Sequence, residues 1–292
     1  MRSYPADYEL VSPANLSSAL NLLHSEPGKW TPIAGGTEIM VLYGAGKLAA
    51  RNFVSIWGLP ELTGITESED ALRIGAGCSY TQLRNHPSVQ KHFPLLAQAA
   101  SWTGSIANQN RGTLAGNIIN ASPAADSPPA LLVYDAELEL ISAQGTRRVS
   151  YTQFHLGYKK TMLGPEELVL AIHLHKRFNA YFSYTRKVGA RNAQAISKVC
   201  VAALGQLESG RIKDVRIAMG SVAPVPTRLT QTENLIHGQA ISDQLMESAK
   251  RVLTSETAPI DDIRSTAAYR TRVAGNLLEE FLRAFAQTVS AE

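Results

Sequence analysis

The stretch Asn110 to Asp126, NRGTLAGNIINASPAAD, constrains the fold of this chain more than any other. It is crowded with Gly, Asn, Ser and Thr, yet the apolar pair Ile118 and Ile119 sits in its middle and the apolar segment PPALLVY follows it. Surface loops are ordinarily short or polar throughout. This one reads as polar backbone held against something, with Gly112 and Gly116 allowing close approach. A second small-residue stretch, Pro32 to Glu38 (PIAGGTE), reads as its counterpart. Two such loops suit a large phosphorylated ligand, because successive backbone N–H groups form anion-binding concavities without Lys or Arg. Composition alone leaves ordinary tight turns as the commoner reading.

The chain has 292 residues, enough for two domains or one large one. Its 45% hydrophobic and 18% charged residues are those of a globular protein, not a disordered one. The net charge of +3 comes without a basic block, so no nucleic-acid partner is expected. Cys78 and Cys200 stand far apart without a CxxC neighbour, and are expected to be reduced and buried. The opening MRSYPADYEL lacks the apolar core of a signal peptide, and no apolar run is long enough for a bilayer. The expected location is the cytoplasm, away from membranes.

Ser12-Pro13 reads as a helix start, with Leu16, Leu20 and Leu23 forming an apolar stripe to about Ser25. Trp30 to Ala34 reads as a strand running into Gly35-Gly36, and helical spacing returns from Thr37. The two glycines therefore sit between a strand and a helix N-terminus, where unpaired N–H groups favour a phosphate. Gly44 to Ala49 matches the dinucleotide pattern G-x-G-x-x-A, but helical residues precede it and a strand, Asn52 to Ile56, follows too soon. Those glycines are read as a helix end.

Leu62 to Thr66 with Ala71 to Ala76, and Glu137 to Ser142 with Thr146 to Ser150, read as hairpins. Helices are expected after Ser79 or Thr81, from Phe93 to Trp102 and from Pro128 to Tyr134, with strands at Glu167 to His175 and Tyr181 to Lys187. Beyond a boundary near Lys176 to Ala180 come a long hairpin (Lys198 to Glu208, Arg211 to Gly220), helices at Pro226 to Ile236 and Ser242 to Ser255, and a long C-terminal helix. This is an α+β arrangement.

Catalytic patterns are missing: no GxSxG, HExxH or Walker A occurs. His173 and His175 share a strand face without a third ligand of matching character, and a solvated face is the preferred reading. Two phosphate-holding loops without an acid, base or nucleophile set mean that the ligand brings the chemistry.

Ala34 to Glu38 (AGGTE) and Thr113 to Asp126 (TLAGNIINASPAAD), in this order, resemble the flavin-binding signature of the xanthine dehydrogenase and carbon monoxide dehydrogenase family. The resemblance is to the FAD-carrying medium subunit of its molybdenum hydroxylases. It covers nearly the whole chain, including "VSIWGLPELTGI" and the final α+β domain. It implies a vanillyl-alcohol-oxidase-type FAD-binding fold over residues 1–177, in two α+β subdomains of about 1–56 and 57–177, then a C-terminal flavoprotein domain over 178–292. Pro32, Ile33, Ala34, Gly35, Gly36, Thr37 and Glu38 would hold the FAD pyrophosphate and ribityl chain through N–H groups. Thr113, Gly116 and Asn117 would line the second loop, and Asp126 would accept from a ribityl or ribose hydroxyl. Leu170 would pack on the adenine end, Lys187 would stand at the pyrimidine edge of the flavin, and Ile196 would lie over a ring face. A surface lysine and a core isoleucine are the plain readings of the last two. Glu38 stands where Asp is commoner, and Ala115 where Gly is commoner. No His or Cys lies within either motif, so the flavin is expected to be non-covalent.

The family further implies a large molybdopterin subunit and a small 2Fe–2S subunit as partners, in a dimer of heterotrimers. Electrons would pass from the clusters to FAD, then to NAD+ or another acceptor. Two alternatives stay open: a stand-alone flavoenzyme of the same fold, and a cofactor-free scaffold paralogue.

Overall fold

The computed structural model describes residues 4–191 and 194–288. It opens with a parallel sheet ordered β1–β3–β2, built from β1 (Glu9–Val11), β2 (Thr31–Ile33) and β3 (Asn52–Ser55). Parallel strands need crossovers, and α1 (Leu16–Ser25) and α2 (Ile39–Gly44) provide them. In α1 the buried residues Leu16, Ala19, Leu20 and Leu23 follow helical spacing. The helix starts later than Ser12-Pro13: β1 runs to Val11, and Asn15 is the cap, its side chain accepting from the Ser18 N–H at 2.9 Å. After α2, Gly46 takes φ +66° and Lys47 N–H reaches back to the Leu42 carbonyl at 2.9 Å. The G-x-G-x-x-A match is thus a helix end closed by a left-handed glycine.

Next come β4 (Ile65–Glu67) and β5 (Ala71–Gly75), then the helices α3 (Tyr80–Asn85), α4 (Pro87–His92), α5 (Pro94–Trp102), α6 (Ile106–Arg111), α7 (Leu114–Asn120) and α8 (Pro128–Val133). The strands β6 (Glu137–Ser142) and β7 (Gly145–Ser150) follow, then a small ribbon of β8 (His155–Gly157) with β9 (Lys160–Thr161), and β10 (Leu168–His175). The antiparallel sheet is ordered β4–β5–β10–β6–β7. Both expected hairpins are present. The glycine-rich stretch, however, is helical at its centre in α7, and α4 and α6, six residues each, are too short for helical spacing to mark them in the sequence. His173 itself is 8% exposed, its ring bonded to Glu139 at 2.9 Å, while His175 stands exposed beside Glu137, so the face they share is polar and partly solvated with His173 covered on it.

A third sheet, β11–β12–β13–β14, is formed by β11 (Phe182–Val188), β12 (Val199–Glu208), β13 (Arg211–Gly220) and β14 (Thr227–Arg228). The helices α9 (Thr230–Ile236), α10 (Asp243–Glu256) and α11 (Ala267–Gln287) complete it. The helix expected from Pro226 begins at Thr230 because Thr227 and Arg228 extend the sheet beside β13. β12 is apolar without alternation because both faces are covered. Val199, Val201 and Ala203 join the core of α11, while Ala202 and Leu204 join the core of the preceding half. Between the halves lies α8, buried along its whole length and packed on β12 and β13.

Candidate functional site

The two small-residue loops meet. A Cβ on Gly35 would lie 1.7 Å from the Arg111 carbonyl oxygen, so the chains touch backbone to backbone and only glycine fits. One on Gly112 would stand 3.5 Å from Thr37 Oγ1. Pro32 and Ile33 belong to β2, which lies beside β3, and Ala34 to Thr37 form the turn, with Gly36 at φ +74°. Among the described residues, the N–H groups of Gly35, Gly36, Thr37, Glu38 and Ile39 have no hydrogen-bond partner. Since α2 has only six residues and Glu38 makes no side-chain cap bond, the donors of this site come from the turn itself, not from a long helix dipole.

The second loop is stitched down from beneath. Tyr80 N–H donates to the Gly112 carbonyl and Leu114 N–H to the Cys78 carbonyl, both at 3.1 Å. Thr113 is 3% exposed and caps α7, its Oγ1 accepting from Gly116 N–H at 3.0 Å. Asn117 Oδ1 accepts from Ser127 Oγ at 2.7 Å, and Ser127 Oγ lies 3.2 Å from the buried Tyr80 hydroxyl. Thr113 and Asn117 therefore shape the loop through their side chains, while Gly116 leaves its surface open. Burial raises the Tyr80 phenol pKa, which keeps it protonated as a structural group.

Asp126, Lys187 and Ser197 form the charged part of the site. Lys187 Nζ donates to Asp126 Oδ2 at 2.6 Å and to the Trp102 carbonyl at 3.1 Å, and Ser197 Oγ donates to Asp126 Oδ1 at 2.5 Å. Burial raises the Asp126 pKa, against the pull of the lysine. Lys187, with a side chain 3% exposed, is no surface lysine. Ile196 is 52% exposed and is no core isoleucine. Leu170 sits at a bulge of β10 opposite β6, half-buried, its carbonyl accepting from Ala76 N–H at 3.1 Å.

Tyr80, Ser127, Ser197 and Lys159 also belong to the site, outside both glycine motifs. The capping box Ser79-x-x-Gln82 was a local signal for the start of α3 and so for Tyr80. Ser197 and Lys159 act across long sequence distances, and Ser127, though only ten residues from Asn117, has no pattern that marks it. Lys159 reaches the loops from the β8–β9 ribbon, 3.4 Å from Glu38 Oε1. The open N–H groups of the first turn, and the backbone cradle that excludes any Cβ at Gly35, fit the pyrophosphate of a dinucleotide.

Residues 6–176 match the family described as the FAD binding domain in molybdopterin dehydrogenase, and residues 184–285 match the CO dehydrogenase flavoprotein C-terminal domain. The chain is 34% identical over 263 residues to the xanthine dehydrogenase FAD-binding subunit of Escherichia coli O157:H7, covering 88% of each. It is 27% identical over 284 residues to the carbon monoxide dehydrogenase medium chain of Hydrogenophaga pseudoflava, covering 96% of this chain and 97% of that one. Its structure matches a chain of the Hydrogenophaga pseudoflava carbon monoxide dehydrogenase lacking the Mo-pyranopterin moiety, with TM-score 0.92 at 26% identity over 97% of this chain and 98% of the other. With both family domains in order on a vanillyl-alcohol-oxidase-type fold, the chain belongs to the FAD-binding medium subunits of the xanthine dehydrogenase and carbon monoxide dehydrogenase family of oxidoreductases.

Proposed function

We propose that this chain is the FAD-carrying electron-transfer subunit of a molybdenum-containing hydroxylase. In this reading it receives electrons from the 2Fe–2S clusters of a small partner subunit and delivers them to NAD+ or another acceptor. A large molybdopterin subunit carries out the hydroxylation, and the particle is a dimer of heterotrimers. When bound, FAD supplies the redox chemistry; the chain's own residues hold and orient it. The observation that carries the reading is the seam of Gly35 on Arg111, which joins two glycine loops around a row of open N–H groups.

Within that reading, Pro32 to Glu38 hold the pyrophosphate and ribityl chain by backbone N–H groups, and Gly116 lets the cofactor approach the second loop. Thr113 and Asn117 fix the shape of that loop. Asp126 holds Lys187 ready at the flavin's pyrimidine edge, Leu170 supports the adenine end, and Ile196 covers a ring face. The proposed division into 1–177, with subdomains of about 1–56 and 57–177, and 178–292 is supported by the change from the first sheet to the second after β3 and from the second to the third between β10 and β11.

The test is to purify the chain, strip it, titrate FAD while recording the visible spectrum, and then capture partners from the native complex. Flavin bands that weaken with Gly36→Val or Asp126→Ala, together with co-purifying molybdenum and 2Fe–2S subunits, are expected. An intact fold that binds no FAD would overturn the reading and favour a scaffold. Turnover of a small organic substrate by the chain alone would favour a stand-alone flavoenzyme.

A further inference from the structure

The β8–β9 ribbon spans the junction of the two loops. Its tip residue Lys159 adopts φ +55°, a left-handed conformation that costs a side-chain-bearing residue free energy. Its N–H donates at 3.3 Å to the carbonyl of Ala121, which is itself left-handed at φ +47° just after α7. Its ammonium then reaches two segments at once: Asn120 Oδ1 at 2.6 Å, at the end of the second loop's helix, and Glu38 Oε1 at 3.4 Å, in the first loop. The side chains of Lys159 and Glu38 are 38% and 50% exposed, so this pair is solvated and contributes little to stability. Two strained non-glycine residues facing each other call for more than an exposed ion pair, and such strain clusters at functional sites. The first loop, moreover, offers a dianionic pyrophosphate N–H groups but also places a carboxylate, Glu38, at its rim. Arg111, at the seam of the two loops, has its guanidinium stacked on Trp57 at 3.9 Å, and Lys159 is the cation that reaches Glu38. The ammonium has three donors, of which Asn120 and Glu38 take two.

We propose that Lys159 is a further cofactor-binding residue, held by the β8–β9 ribbon at the junction of the two loops so that its ammonium counters the pyrophosphate of FAD. This rests on the FAD reading above. The nearby Lys160, also exposed, has no such placement and serves as the control.

The experiment uses the full chain, stripped of cofactor, and measures FAD affinity by flavin fluorescence with the thermal midpoint of the apo form as a check on folding. Lys159→Met, which keeps the alkyl stem, is expected to weaken FAD binding about tenfold, the scale of one charge-assisted hydrogen bond. Lys159→Arg should retain most of the affinity, and Lys160→Met should bind as the parent does. In a Glu38→Gln background, Lys159→Met should still weaken binding. Unchanged affinity in Lys159→Met would overturn the proposal. So would a loss that vanishes in the Glu38→Gln background, because Lys159 would then only neutralise its neighbour. If the parent chain, correctly folded, takes up no FAD at all, the cofactor reading itself fails along with the proposal.

Discussion

Lys187 and Asp126 meet across the join of the two halves of the chain, Nζ to Oδ2 at 2.6 Å, with side chains 3% and 9% exposed. One comes from the first strand of the third sheet, the other from the end of the second loop. A pair this deep has little water to screen it, and its partners depend on each other.

Lys187→Met leaves the Asp126 carboxylate buried without its cation and is expected to cost about 3–5 kcal/mol in urea unfolding. Adding Asp126→Asn should recover much of that loss, since the stranded charge is gone. A double variant no more stable than the single one would show that the lysine acts by packing and not by charge.

Gly35→Ala is expected to force the loops apart, because the new Cβ would lie 1.7 Å from the Arg111 oxygen. A loss of about 1–3 kcal/mol, typical of overpacking, should accompany weaker FAD binding. Gly44→Ala is the contrast: nothing lies within 4 Å of its Cβ position at the end of α2. That change should be neutral or stabilising by up to ~1 kcal/mol from helix propensity. Equal effects of the two in thermal melts would disprove the close approach.

His155 gives the fold a pH dependence. Its Nε2–H donates to the Ile118 carbonyl at 3.0 Å, and burial lowers its pKa below the ordinary 6.5. The folded state therefore binds fewer protons at this ring than the unfolded state, and stability must fall as pH drops below about 6.5. The ring links the β8–β9 ribbon to α7, so mild acid should loosen the ribbon and speed FAD release. Melting points taken between about pH 7.5 and 5.5 should decline in the parent and flatten in His155→Gln. A parallel decline in both would assign the effect elsewhere.

Gly205→Ala tests the seat of the C-terminal helix. A Cβ there would meet the Phe285 ring at 2.4 Å, on the face where α11 packs on β12. The ring can shift only by disturbing its stack with Phe182 and Phe281, at centroid distances of 5.5 Å each. We expect about 1–3 kcal/mol of destabilisation, read by urea unfolding. A wild-type midpoint would mean that the helix end moves freely.

Much of this molecule is written in neighbouring residues. The stripe of α1, the hairpin turning at Ala143-Gln144, the helix end at Gly46 and the apolar run of β12 each depend on residues a few positions apart, and each was legible. The errors have equally local causes. Ser12-Pro13 offered a helix start but stands directly after a strand, Thr227 and Arg228 preferred an edge pairing to a helical turn, and the polar composition of Asn110 to Asp126 concealed α7, whose cap Thr113 was in plain view.

Neighbouring residues suffice to specify the two loops, their order and the family they belong to, because glycine spacing is a local chemical requirement of backbone that must approach a ligand. What the side chains of those loops do is fixed only by contacts made on folding. Asp126 lies 61 residues from Lys187, and Glu38 lies 121 from Lys159. Contacts at such separations have no period or motif, since they are set by how sheets and helices pack, and packing is a property of the folded whole.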